Sequence, residues 1–208
     1  LAYADSVVGE IVSILAELGL AERTVVVVTA DHGESLGERG IWGHGNSVER
    51  EQIALPLIVH LPGALARAER DPRLVAAIDL MPSLLDLLGV PAPPGLRGQS
   101  WFTPEAGGAE GWPRSIVSVA EGRSGTVSLL VPGFKYSHEQ ANGRERLLPL
   151  PEEEDGENLR WDHPVTFAYL ASEAARLLSA QAASGPAEAA EEFPEDVKEA
   201  LRALGYVE

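Results

Sequence analysis

Apolar positions in the first 90 residues follow two patterns, one typical of helices and one typical of buried strands. Residues 1–20 carry apolar side chains every three or four positions, which predicts a helix. Two short aliphatic runs, at residues 25–30 and 56–61, indicate strands that are buried on both faces. Residues 79–88 repeat the helical spacing and predict a second helix. The short connection between the first helix and the first strand favours the αβ half of a parallel unit.

The pattern changes after residue 114, where shorter apolar runs are separated by glycine and proline turns. Four such runs predict the strands of a small antiparallel sheet: residues 115–120, 126–131, 134–138 and 146–150. Helical spacing returns at residues 165–182, and again at residues 194–204 after a linker rich in Ala and Glu. We therefore expect an α/β chain in two parts, residues 1–113 and residues 114–208.

The composition narrows the classes of function. The chain has 208 residues, with 16 Lys and Arg against 32 Asp and Glu, and a net charge of −16. This acidity argues against nucleic-acid binding, because a phosphate backbone attracts clusters of basic side chains. Cysteine is absent, which excludes a disulfide framework, a thiolate zinc site and a cysteine nucleophile in these residues. The sequence contains no run of 18 apolar residues that would predict a membrane span.

Polar chemistry is concentrated at the end of the first predicted strand. Asp31 and His32 follow that strand directly and precede a loop with five glycines, a setting that fits a ligand or metal site in an α/β protein. The carboxylate suits calcium or magnesium, and the imidazole favours manganese or zinc. The structural alternative is that Asp31 caps the turn and His32 packs against it. Two ligands do not complete a site, so the others must come from elsewhere.

Other polar residues are candidates on residue type alone. His44 lies between two glycines and could hold an anionic oxygen or protonate a leaving group, although a plain surface imidazole fits the spacing better. Glu34 could accept a hydrogen bond from a ligand, but a solvent-facing loop in which Glu34 and Glu38 form ion pairs with Arg39 is the simpler interpretation. Lys135 is most simply interpreted as part of one face of the small sheet.

Three consecutive segments match a known signature. Residues 29–45 read TADHGESLGERGIWGHG, residues 56–63 read PLIVHLPG, and residues 79–91 read DLMPSLLDLLGVP. In this order they resemble the carboxyl-terminal portion of the type I sulfatases, which belong to the alkaline-phosphatase-like superfamily. The resemblance implies an α/β fold: the end of a large mixed sheet, then a small antiparallel sheet with a packed helix.

The resemblance also implies roles for the loop residues. Asp31 and His32 fall where the family places two metal ligands; calcium is the expected ion, with magnesium, manganese and zinc as alternatives. His44 falls where many members carry a Lys that contacts the sulfate, so the resemblance makes it a substrate-binding and catalytic candidate. The family nucleophile is a formylglycine made from a Cys or Ser in a Cys/Ser-x-Pro-x-Arg motif. The sequence contains no such motif, and we expect the nucleophile on an upstream part of a longer parent protein.

The expected function is therefore that of the parent, the hydrolysis of small sulfate esters, and we expect the fragment alone to be inactive. A phosphodiester or phosphonate monoester hydrolase of the same superfamily is the first alternative. A binding or structural domain without catalysis is the second. We expect the chain to pack against the missing amino-terminal part or a copy of itself. By the resemblance, a periplasmic or extracellular location is possible.

Overall fold

The fold begins with helices interspersed among short strands and continues as a four-stranded sheet followed by a helix. The structure is a computed structural model that describes residues 2–63, 69–102, 115–120, 125–151, 156–183 and 195. Its helices are α1 (Ala2–Glu17), α2 (Arg50–Ile53), α3 (Leu80–Leu87) and α4 (Pro164–Ala183). Its strands are β1 (Val26–Thr29), β2 (Ser35–Leu36), β3 (Trp42–Gly43), β4 (Leu57–His60), β5 (Ile116–Ala120), β6 (Thr126–Val131), β7 (Phe134–Glu139) and β8 (Arg144–Pro149).

The first part of the chain places its strands in two short pairs. β1 pairs with β4 in antiparallel register, with Val26 opposite His60 and Thr29 opposite Leu57. β2 and β3 form a small hairpin, in which Ser35 is opposite Gly43. Within the described residues β1 thus pairs with an antiparallel strand, and the expectation of a parallel unit is wrong for this pairing. The short α1–β1 connection constrains the direction of β1 but not the identity of its neighbour, and β4 runs in the opposite direction.

The second part of the chain forms an antiparallel sheet of order β5-β6-β7-β8. One face of this sheet is covered by α4, and the two elements share a core of buried side chains. The core consists of Val127, Leu129, Tyr136, Leu147, Leu170 and Ala174. Core residues lie at every second position of the strand and four positions apart on the helix, so each set lies on one face of its element. Burial of the sheet face against the helix face stabilises the two elements together.

The predicted secondary structure is largely confirmed. The strands of the small sheet lie within two residues of their predicted bounds at each end, and α1, α3 and α4 lie within three residues of theirs. The helix predicted at residues 194–204 falls almost wholly outside the described residues. Within the described part of the chain, no helix is both long and apolar enough to cross a membrane.

Candidate active site

The end of β1 delivers Asp31 and His32 to the start of residues 31–46, which we call the site loop. Asp31 is exposed, and its Oδ1 accepts the backbone N–H of His32 at 2.9 Å. That hydrogen bond is the main reason why the pKa of Asp31 lies below its usual range, followed by the bond from its own backbone N–H. The nearby His32 and His44 lower the Asp31 pKa further. Asp31 is thus held as a carboxylate at the start of the site loop.

The backbone of the loop orients the imidazole of His32. Its Nδ1 lies 2.9 Å from the carbonyl oxygen of Gly33. A carbonyl only accepts hydrogen bonds, so Nδ1 carries the proton of the neutral ring and Nε2 keeps its lone pair. His32 Nε2 lies 3.7 Å from Asp31 Oδ2. The Asp31 carboxylate and the His32 Nε2 therefore lie close enough together to contact one metal ion.

The β2–β3 hairpin returns the chain so that His44 lies against His32. The two imidazole rings are stacked, with centroids 4.0 Å apart and planes at 24°. His44 Nδ1 also lies 2.9 Å from Glu34 Oε2. The structure thus brings together all three residues that the sequence singled out, Asp31, His32 and His44, and adds Glu34 beside them.

The ion pairs of the loop differ from the simple expectation. Arg39 pairs with Glu51 and, at 3.7 Å, with Glu49, both of which lie in or beside α2. Glu38 instead accepts the backbone N–H of Leu36 at 2.6 Å. Glu34 is left to partner His44. Sequence proximity favoured pairs within the loop, whereas the hairpin turns the Arg39 side chain towards α2.

Gln52 of α2 holds the site loop from within, and sequence reasoning missed it. This residue is buried, with 4% of its surface exposed. Its Nε2 shares two hydrogens among three acceptors: Ser35 Oγ at 2.8 Å, Asn46 Oδ1 at 2.8 Å and the Gly43 carbonyl at 3.1 Å. The backbone carbonyl of Gln52 accepts a hydrogen bond from the N–H of Gly33 at 2.9 Å. No local sequence pattern marks this role, because its partners are spread over the loop.

Lys135 connects the small sheet to the segment that follows the site loop. The sequence suggested a simple sheet face, but the Lys135 side chain is buried, and its Nζ donates to the Val48 carbonyl at 2.6 Å. Arg146 of β8 lies 3.6 Å from Glu49. Burying an ammonium group is unfavourable unless it is hydrogen-bonded, so this contact fixes the sheet against the loop segment.

The donor types at the end of β1 fit a divalent cation in part. Asp31 offers an exposed carboxylate, and His32 offers the imidazole Nε2, which lies 3.7 Å from Asp31 Oδ2. Calcium requires about 6–8 oxygen ligands, and zinc about 4 ligands. This pair alone would therefore provide only part of the coordination shell of either ion.

The chain is similar to known sulfatases in sequence. The family model described as Sulfatase matches residues 1–90. Arylsulfatase K of Mus musculus is 34% identical over 102 residues, which cover 49% of this chain and 18% of that protein. Choline-sulfatase of Rhizobium meliloti is 32% identical over 90 residues, which cover 43% of this chain and 17% of that protein. The chain thus spans less than a fifth of the length of these curated relatives.

Solved structures extend the similarity beyond residue 90. A phosphonate monoester hydrolase from Silicibacter pomeroyi matches with a TM-score of 0.64 and 27% identity, covering 83% of this chain and 38% of that one. The phosphonate monoester hydrolase of Agrobacterium radiobacter matches with a TM-score of 0.62 and 25% identity, covering 87% and 39%.

The fold is that of the carboxyl-terminal part of alkaline-phosphatase-like proteins, and it matches about two fifths of the solved chains described above. Residues 1–90 are similar to the sulfatase family, the family that the resemblance predicted. That family generally uses a divalent metal, and the curated relatives described above are named as sulfatases.

Proposed function

We propose that this chain forms the carboxyl-terminal part of a hydrolase that cleaves small sulfate esters. The observation that carries the proposal is the meeting of Asp31, His32 and His44 at the end of β1, with the two imidazoles stacked 4.0 Å apart. In the sequence these residues lie up to thirteen positions apart. Their convergence, together with the sulfatase relatives, supports one reaction site rather than three unrelated surface residues.

In this proposal the residues of the chain hold and position the substrate. Glu34 accepts a hydrogen bond from His44 Nδ1. The Nε2 of His44 can then contact a sulfuryl oxygen or transfer a proton. Asp31 and His32 provide two ligands for a divalent metal, for which calcium is our first choice and magnesium, manganese or zinc are alternatives. Such a metal, when bound, polarises the sulfuryl group. A formylglycine on the missing upstream part would provide the nucleophile, and the fragment alone would therefore be inactive.

The second candidate function is phosphonate monoester or phosphodiester hydrolysis. The observation that favours it is the likeness to two phosphonate monoester hydrolases, which covers more than four fifths of the chain. The same residues would serve, because phosphoryl and sulfuryl groups both present anionic oxygens to a metal and an imidazole.

The exposed apolar surface supports packing against another part of the parent protein. α1 buries none of its residues, and Ile11, Ile14 and Leu18 are each more than half exposed. Ile58 of β4 is 61% exposed. We propose that the missing amino-terminal part covers these faces, or else a copy of the chain. We also propose that residues 1–113 belong to the large domain and residues 114–208 form the small one.

The test is the turnover of an aryl sulfate, an aryl phosphonate monoester and an aryl phosphodiester by the longer parent protein. We expect sulfate hydrolysis to be fastest, and His44→Ala to lower it by about 10²–10⁴-fold, the usual contribution of general acid–base catalysis. Phosphonate or phosphodiester turnover with sulfate at background would favour the second candidate. Turnover of none of the three by a correctly folded parent would leave only a binding or structural role.

A further inference from the structure

One buried carboxamide contacts the chain on both sides of His44. Gln52 has 4% of its surface exposed. Its Nε2 lies 3.1 Å from the carbonyl oxygen of Gly43, which precedes His44, and 2.8 Å from Oδ1 of Asn46, which follows it. Its Oε1 accepts the backbone N–H of Ser47 at 3.1 Å. The stretch of backbone that carries the His44 side chain is therefore held before and after that residue by one side chain.

The partners of the Gln52 carboxamide fix its orientation. A carbonyl oxygen only accepts hydrogen bonds and a backbone N–H only donates them, so the amide nitrogen faces Gly43 and the amide oxygen faces Ser47. The amide nitrogen also lies 2.8 Å from Oγ of Ser35, which is opposite Gly43 on the other strand of the hairpin. A buried amide that loses such a partner is costly. The carboxamide therefore joins both strands of the hairpin to the segment that follows His44.

The contacts of the His44 side chain itself are weaker. Its ion pair with Glu34 joins two side chains that are about half exposed, and exposed pairs of this kind contribute little. Its stacking contact with His32 also involves a partly exposed ring. The order of the imidazole must therefore come largely from the backbone beneath it, and Gln52 bonds to that backbone on both sides.

We propose that Gln52 is a positioning residue for the reaction proposed above, and that it sets the place of the His44 imidazole beside His32. Its catalytic consequence rests on the proposed function, because His44 affects a rate only if the site hydrolyses an ester. A group that transfers a proton must lie within hydrogen-bond reach of its target, and misplacement by about 1 Å can lower a rate by about 10²-fold. Gln52 should therefore act on kcat through His44.

The first experiment measures the placement of His44 in the 208-residue chain and needs no activity. Stacked imidazoles shift each other's ring-proton resonances upfield, and His32→Gln and His44→Gln identify the two signals. Gln52→Glu turns the donor that faces Gly43 into an acceptor, and Gln52→Met removes all bonds of the side chain at similar length. We expect both variants to lose the upfield shift. Gln140→Glu, the same change at an exposed position, is the matched control and should keep it.

The second experiment is a double-mutant cycle in the longer parent protein, with whichever of the three aryl esters it hydrolyses fastest. Gln52→Met should lower kcat by about 10²-fold when His44 is present. The same change should have almost no effect in a His44→Ala background, because the group that Gln52 positions is then missing. A merely structural loss would lower kcat by the same factor in both backgrounds. Circular dichroism shows which variants are folded.

Three results would overturn the proposal. The first is the wild-type upfield shift in both folded Gln52 variants, and the second is an equal loss of kcat in the two His44 backgrounds. The third is unfolding of both Gln52 variants, which would assign Gln52 to the stability of the fold instead. The proposed function fails by a different result, which is turnover of none of the esters by the folded parent. In that event the resonance shifts still decide whether Gln52 places His44.

Discussion

Replacing Gly33 with alanine tests whether α2 and the site loop are packed as closely as the structure shows. A Cβ at Gly33 would lie 2.0 Å from the Glu51 carbonyl oxygen and 2.9 Å from its carbon. Real Cβ contacts are essentially never shorter than 3.0 Å, so the Cβ and the oxygen must move apart by at least 1.0 Å. The obstacle is backbone, which cannot rotate away as a side chain would.

The magnitude follows from what this movement disturbs. Overpacking of a tight site costs about 1–3 kcal/mol. The Gly33 N–H bond to the Gln52 carbonyl, 2.9 Å long, would weaken as well, and one such bond contributes about 0.5–1.5 kcal/mol. We therefore expect Gly33→Ala to lower the free energy of unfolding by about 2–4 kcal/mol. With a urea slope of about 2 kcal/mol/M, the midpoint of unfolding would fall by about 1–2 M.

Gly45→Ala is the matched control, because it adds the same methyl group to the same loop. Gly45 has φ of +73°, and apart from its chain neighbours no atom of the described residues lies within 4 Å of an added Cβ, so only the left-handed backbone is penalised, by about 1–2 kcal/mol. Urea unfolding followed by circular dichroism compares the two variants with the wild type. A Gly33→Ala midpoint equal to that of the wild type would refute the close packing. A Gly45→Ala loss larger than that of Gly33→Ala would show that steric contact is not the dominant effect.

Two further predictions concern the small sheet. Lys135→Met removes the bond from Nζ to the Val48 carbonyl, and we expect faster hydrogen exchange of the site-loop amides by about tenfold, the equivalent of about 1.4 kcal/mol; unchanged loop exchange would argue against the connection. Burial and the hydrogen bond to Glu145 raise the pKa of Tyr136 above its usual value of 10.0. Stability from neutral Tyr136 is therefore complete below about pH 10 and is lost as pH rises towards the folded pKa. Tyr136→Phe should flatten that alkaline loss in pH-dependent unfolding, and an unchanged slope would contradict the assignment.

The small sheet could be predicted from sequence because its signals are local. Glycine turns separate short apolar runs, and Gly133 and Gly143 adopt the positive φ that such turns require. The positions of Asp31 and His32 were equally accessible, because both follow a strand directly. What sequence could not give is the partner of each element. β1 pairs with β4 across 27 intervening residues or more. Neither apolar run carries a signal that the two strands pair in antiparallel direction.

The contacts that complete the candidate site were out of reach for the same reason. Glu34 has an arginine within five positions, and local reasoning favoured that ion pair over a histidine ten positions away. The hairpin reverses the choice, because it places His44 beside Glu34 and turns Arg39 towards Glu51. Residue type identified the chemically able groups, whereas chain reversal decided which of them meet.

Three contacts hold His44 in position, and they involve residues progressively further along the sequence. The hairpin brings it back to Glu34, Gln52 then holds Gly43 beside it, and Lys135 holds Val48 a few residues further on. Each contact comes from a later part of the sequence than the one before, and the last comes from the small sheet. Because an exposed ion pair such as Glu34–His44 contributes little by itself, the supporting contacts must provide most of the order. The small sheet is therefore part of what shapes the site, although none of its residues lies in the site loop.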